Sequence, residues 1–265
     1  MVATTRRVNQ QPAKVEPLAG FTIANNDEVL RLILNIEGQE KEGKTHFALT
    51  APGPIALIDM DIGLEGVVSK FNKQKKIYVA SFNYREATSP DEWEKMWVKM
   101  KAAFMDALAS QSIRTLIADT GTEIWELLRM ARFGKLAQVK PHHYAPVNAE
   151  FRDLIRKAYD SDKNLLLIHK QKKEYIDEKW TGNMERAGFG DIGYAVQANI
   201  ISWRITALDE QYGKGREDNY RGFGITVRDC RQRAELAGGE ILEPLNTFPQ
   251  LAVQVFPETE VEFWE

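Results

Sequence analysis

Residues 31–61 read RLILNIEGQEKEGKTHFALTAPGPIALIDMD, and this stretch decides the fold. An apolar run, Leu32, Ile33, Leu34 and Ile36, ends at Gly38. Gly43, Lys44 and Thr45 follow, completing G-x-x-x-x-G-K-T, a loop pattern that cradles phosphate when it follows a strand and opens a helix. Backbone N–H groups of residues 39 to 45 can wrap an anion only if the chain turns sharply, which Gly38 and Gly43 permit. A helix starting near Lys44 adds its positive dipole end. The pattern assigns residues 38 to 46 (Gly38, Gln39, Glu40, Lys41, Glu42, Gly43, Lys44, Thr45 and His46) to nucleotide binding. Lys44 is to reach the β and γ phosphates of ATP, and the Thr45 hydroxyl is to ligate Mg²⁺. The charged interior from Gln39 to Glu42 is unusual; Glu40 and Glu42 are expected to point to solvent while the backbone binds.

Working outward, the 265 residues favour one large α/β domain, and 43% hydrophobic residues suffice for a sizeable core. The formal net charge of −3 does not announce a nucleic-acid partner, so any such surface must be local. The single Cys230 excludes an internal disulfide and a cysteine zinc site, and reads as a buried core thiol. No long apolar run occurs, so no membrane partner and a soluble intracellular chain are expected.

Residues 1 to 20 are polar and read as a flexible arm, 21 to 240 as the core, and 241 to 265 as an acidic, aromatic tail. Residues 51 to 54 (APGP) stop the first helix, near Thr50, and Ile55 to Asp59 is a short apolar run suited to a buried parallel strand. Ser89, Pro90 and the following acids open a helix whose stripe Trp93, Met96, Trp97, Met100, Phe104 and Leu108 is core packing. Ile113 to Asp119 is a strand, Thr122 to Ala137 a helix, Ala149 to Ser161 a helix and Leu165 to His169 a strand. A basic segment, 132 to 148, and a long polar stretch, 170 to 193, are not assigned to core elements. Two late strands, Asn199 to Ala207 and Phe223 to Cys230, suggest an antiparallel extension. The fold class is α/β: a mostly parallel central sheet flanked by helices, with an antiparallel extension from the C-terminal strands.

A second acid should end a buried strand and hold the Mg²⁺ water shell, and Asp119 fits; capping the next helix is the alternative. Hydrolysis needs a carboxylate to orient water. Asp59 and Asp61 both end the strand after the loop helix, at the sheet's carboxyl edge; Asp61, just beyond the strand end, is preferred. His169 ends another strand at that edge and is a candidate γ-phosphate sensor, against a plain core histidine.

The run Gly38 to Thr45, IALIDMD, LIADT and LLLIH, in this order, resembles the RecA-fold ATPases. More narrowly it is similar to the core-only RecA-like ATPases of tailed phages, some of which assist single-strand annealing recombination. The resemblance covers roughly residues 31 to 240. It implies a RecA-like P-loop NTPase core and a catalytic carboxylate at Asp61, where the family usually has Glu, so slow hydrolysis is expected. It implies a basic finger acting across a subunit boundary, matched by Arg231 and Arg233, and so a homo-oligomeric ring or filament in the host cytoplasm. Arg228, Arg231 and Arg233 also cluster by themselves at a strand end, where a cation delivered in trans is worth about 10³ to 10⁵ in rate. The RecA fold presents two DNA loops. Candidates are 132 to 148, with Lys140 and Tyr144, and 171 to 190, with Lys172 and Lys173; cations with interleaved rings suit single-stranded DNA. The expectation is an oligomeric ATPase of recombination or replication, using ATP and Mg²⁺. The alternatives are a nucleotide-gated assembly protein with little turnover and a P-loop kinase.

Overall fold

The computed structural model describes residues 29–61, 63, 64, 66–136, 140–205 and 222–265; the arm expected over 1 to 20 lies outside them. The strands are β1 (Ile33–Gly38), β2 (Ile55–Asp59), β3 (Ile77–Ser81), β4 (Thr115–Asp119), β5 (Asn164–Ile176), β6 (Lys179–Arg186), β7 (Ala198–Arg204), β8 (Phe223–Cys230) and β9 (Glu240–Leu242). Their spatial order is β3-β2-β4-β5-β1-β7-β8-β9, with β6 paired to β5. Every pairing from β3 across to β7 is parallel, while β7–β8, β8–β9 and β5–β6 are antiparallel. The expected mixed sheet is present.

The central strands are continuous apolar runs because both of their faces are buried. Leu165 and Leu167 face one core with Ile33, Leu116 and Ala118. Leu166 and Ile168 face the other with Leu34, Ile36 and Ile117. The first face is covered by α2 (Pro90–Ala109), α3 (Gly121–Phe133), α4 (Pro141–Tyr159) and α5 (Ile192–Ala195); the second by α1 (Lys44–Ala48) and α6 (Phe248–Val255). Ser89 caps α2 in a capping box with Glu92, with Pro90 in the first turn. Cys230 is buried, as its apolar surroundings in sequence suggest. Among the described residues no helix is long and apolar enough to cross a membrane.

The structure differs from the sequence reading in three places. α4 begins at Pro141, inside the segment read as a basic loop. Pro146 argued against a helix there, since it removes one backbone hydrogen bond. Packing outweighs that loss: Val147 is fully buried, and Trp125 donates to the Asn148 side chain at 2.9 Å. The polar stretch after His169 is no loop either. β5 continues to Ile176, turns through Asp177 and Glu178, both at positive φ, and returns as β6. Its charged residues hid the strand pattern because this ribbon has no buried face. Finally, residues 241 to 265 are not a loose tail. β9 pairs with β8, and Phe248, Leu251, Val255 and Trp264 are buried in the second core.

Trp97 lies on the buried face of α2 with 1% of its surface exposed, and its indole donates to Glu150 at 3.0 Å. Trp97→Ala should cost about 3–5 kcal/mol in urea unfolding. Val98→Ala, at a position 55% exposed, should stay within about 0.5 kcal/mol.

Candidate active site

The loop after β1 is held by contacts that explain its glycines. A Cβ on Gly38 would lie 2.6 Å from the Ser202 carbonyl oxygen. Gly43 has φ +83, and a Cβ there would lie 2.5 Å from the Phe223 ring. The Arg204 guanidinium donates to the Lys41 carbonyl at 2.9 Å, and Ser202 to that of Glu42. β7 and β8 therefore form the loop's back wall. The Lys44 amine lies inward, donating to the carbonyls of Gly38, at 2.9 Å, and Gln39. Burial lowers its pKa, partly offset by the carboxylates of Glu42 and Asp119, while the charge of Lys170 lowers it further.

Glu40 points to solvent, but Glu42 does not: its carboxylate folds back and accepts from the Gln39 N–H at 2.5 Å. A carboxylate thus takes one of the backbone donors assigned to phosphate. Unpaired loop N–H groups attract the nearest anion, and Glu42 supplies one. His46 sits in the first turn of α1 with its ring edge-on to Phe71 at 5.0 Å.

Three acids end neighbouring strands. Asp59 and Asp119 are register partners, and the Thr45 hydroxyl donates to Asp119 at 2.6 Å. Burial pushes the Asp119 carboxyl up to about 6; the Thr45 hydrogen bond opposes this and the Asp59 charge adds to it. Asp119 does not cap α3, because Thr120 does, accepting from the Glu123 N–H at 3.2 Å. Asp59 is buried and accepts from the Asp61 N–H at 3.2 Å and the Ser81 hydroxyl at 3.4 Å. Asp61 is turned outward. Among the described residues no three His, Cys, Asp or Glu side chains form a metal cage. The Thr45 hydroxyl and the Asp119 carboxylate are adjacent hard oxygens, a donor pair that fits Mg²⁺ because that ion keeps waters and takes substrate phosphates as further ligands.

Four residues that the sequence reading missed surround Asp61. The Lys170 amine donates to Asp61 at 3.0 Å and to Glu123 at 2.5 Å. Arg85 lies 3.7 Å from Asp61 and 3.1 Å from Glu123. The Tyr84 phenol donates to Glu123 and is pushed up to about 12 by burial and that bond. Glu123 is 4% exposed, yet its pKa is lowered: burial raises it, and its three donors more than offset that. Only one signal was readable in the sequence, namely that Lys170 directly follows the LLLIH strand run; its place opposite Gly38 is set by the sheet register.

His169 is fully buried, wedged so close to Gly121 that a Cβ there would lie 2.7 Å from its ring. Burial pushes its pKa to about 3, so the imidazole is neutral. Lys170, and not His169, presents its polar end to Asp61. Arg231 and Arg233 leave β8 at the sheet's other end: the Arg231 N–H donates to the Gln197 carbonyl, beside the start of β1. Arg231 donates to the Tyr194 carbonyl at 2.7 Å, and Arg233 pairs with Glu235. Arg228 instead pairs with the buried Glu37 at 2.6 Å. Of the first DNA segment, Tyr144 stacks on Trp125 at 5.5 Å and Arg132 is held by Glu94 and Glu150, whereas Lys140 is exposed at the start of α4.

A phosphate loop after β1, with acids at the carboxyl ends of β2 and β4 along the same sheet edge, defines a P-loop NTPase. The family model of the AAA domain matches residues 31–189, and the chain belongs to that family: a nucleotide-binding ATPase by class. No curated protein matches the chain.

Glu42→Gln should tighten ADP binding about tenfold, the equivalent of about 1.4 kcal/mol, read by titrating a fluorescent ADP analogue. Lys44→Ala should abolish that binding. Unchanged or weaker binding by Glu42→Gln would show that the carboxylate does not compete with phosphate.

Proposed function

We propose that the chain is a Mg²⁺-dependent, homo-oligomeric ATPase acting on single-stranded DNA in recombination or replication, as its resemblance to core-only RecA-like phage ATPases suggests. The observation that carries the DNA reading is the β5–β6 ribbon, which continues outward from the strand bearing Lys170. Tyr175 and Trp180 are cross-strand partners, 58% and 54% exposed. Lys173 lies over the Trp180 ring at 5.1 Å, so a cation and two aromatic rings share one face. Such a face stacks bases and tracks phosphates without reading sequence. Two of the ribbon's acids are engaged locally: Glu174 accepts from Thr181 and Asn183, and Glu185 pairs with Lys172 at 3.2 Å. The remaining acids form the turn, so contact is expected along the flanks.

In the proposed chemistry Lys44 and the loop N–H groups hold phosphate, Thr45 and Asp119 hold the metal, and Asp61 orients water. Mg²⁺ supplies charge neutralisation at the phosphates. Arg231 and Arg233, remote from their own loop, serve a neighbouring subunit. The assembly-protein reading draws support from Asp61 being tied up by Lys170 and Arg85, which suits a slow enzyme.

Two experiments test this. Tyr175→Ala with Trp180→Ala should weaken binding of a labelled oligonucleotide about 10- to 1000-fold, and Lys172→Ala with Lys173→Ala should flatten its salt dependence. Absence of salt-sensitive DNA binding by the wild-type chain, with and without nucleotide, would transfer the case to the assembly reading. Separately, Arg233→Ala and Lys44→Ala should each be inactive and regain partial ATPase activity when mixed. No rescue, together with strictly linear concentration dependence, would remove the in-trans finger.

A further inference from the structure

The Lys170 amine bridges Asp61 and Glu123, and no role has yet been given to it. We propose that Lys170 is a catalytic cation supplied in cis: its amine, which donates to Asp61 and Glu123, moves to the terminal phosphate when a triphosphate binds. This rests on the ATPase reading above.

Three observations carry it. Lys170 is the register partner of Gly38, so it leaves β5 directly beside the phosphate loop. Lys44 feels its charge, together with those of Asp61 and Asp119, so all four groups share one neighbourhood. The Lys170 side chain is 32% exposed and its stem is flexible, which leaves it room to move. Burial lowers its pKa, but Glu123 and Asp61 outweigh that, so the amine carries its charge.

The cluster is also built to release it. If Lys170 leaves, Glu123 keeps Arg85 at 3.1 Å and the Tyr84 hydroxyl, so no buried charge is stranded. Asp61 then loses the donor on its Oδ1 and gains a free lone pair for water. One displacement thus brings positive charge to the phosphate and frees the group that orients the nucleophile. In turnover the water oxygen bonds the terminal phosphorus while the bond to the bridging oxygen breaks. ADP and inorganic phosphate leave, and the water proton passes to Asp61 and then to solvent. Lys170 makes no covalent bond; it offsets charge on the phosphate oxygens. Arg231 and Arg233 cannot do this in their own subunit because they lie at the sheet's opposite end.

The test compares wild type, Lys170→Gln, Lys170→Met and Lys170→Arg as full chains. Affinities are measured for ADP and for a non-hydrolysable ATP analogue, alongside ATP turnover and thermal unfolding. Lys170→Gln should lose about tenfold of the preference for the triphosphate, with ADP affinity within about twofold of wild type. Turnover should fall about 100- to 1000-fold, and Lys170→Arg should retain most of both. An unchanged triphosphate preference, or equal losses for ADP and the analogue, would overturn the proposal. Should Lys170→Gln fail to fold, Lys170→Met carries the same comparison. If the wild type does not hydrolyse ATP, the ATPase reading fails, and the affinity ratio still decides where the amine goes.

Discussion

The Thr45 hydroxyl, on the helix that follows β1, meets the Asp119 carboxylate at the end of β4 at 2.6 Å although β5 lies between those two strands. The hydrogen bond is possible because β1, β5, β4 and β2 run parallel and in register to one edge, which β5 alone overruns. Gly38 is level with Lys170, Ile168 with Asp119, and Asp119 with Asp59. A register slip of one residue in any of these ladders would turn its terminal polar group into the apolar core beneath. The two-sided hydrophobic core that stabilises the sheet is therefore also what sets the positions of the site's charges.

Those charges lie at different depths: Asp119 and Glu123 are buried, whereas Arg85 is largely exposed. Burial pushes the Asp119 carboxyl up to about 6, with Asp59 beside it, while three donors hold the Glu123 carboxyl below its usual value although it too is buried. The difference marks two compartments at one sheet edge. In one, Asp119 accepts from Thr45 beside Asp59; in the other, Lys170 and Arg85 offset the charge of Glu123 while the Tyr84 hydroxyl donates to it. Asp61 stands between them and is the acid whose partners can change.

What the sequence revealed follows from what is local. The loop glycines, Lys44, Thr45 and the acid-terminated strands occur within short runs with fixed spacing, and the core they imply is present. Tyr84, Arg85, Glu123 and Lys170 come from separate segments, each unremarkable alone, and only the strand order brings them together. The start of α4 was hidden by Pro146, a local signal overridden by the packing of Val147 and Trp125. The β5–β6 ribbon was hidden for the opposite reason, since with no face to bury its strands need no apolar alternation. Glu42 was expected in solvent, yet it folds onto the Gln39 N–H, a choice made by local electrostatics rather than pattern.

The same β5 strand serves two mechanical purposes. Its first half is clamped between β1 and β4, while among the described residues its second half pairs with β6 alone. From Lys170 to Ile176 the free half reaches about 20 Å, at about 3.3 Å per residue. It is a lever whose fulcrum is the residue that grips Asp61. A tilt of about 10° at that root would carry the tip about 3–4 Å, with no change inside the sheet. Geometry alone thus converts a side-chain-sized adjustment at the carboxyl edge into a displacement comparable to the spacing of stacked bases.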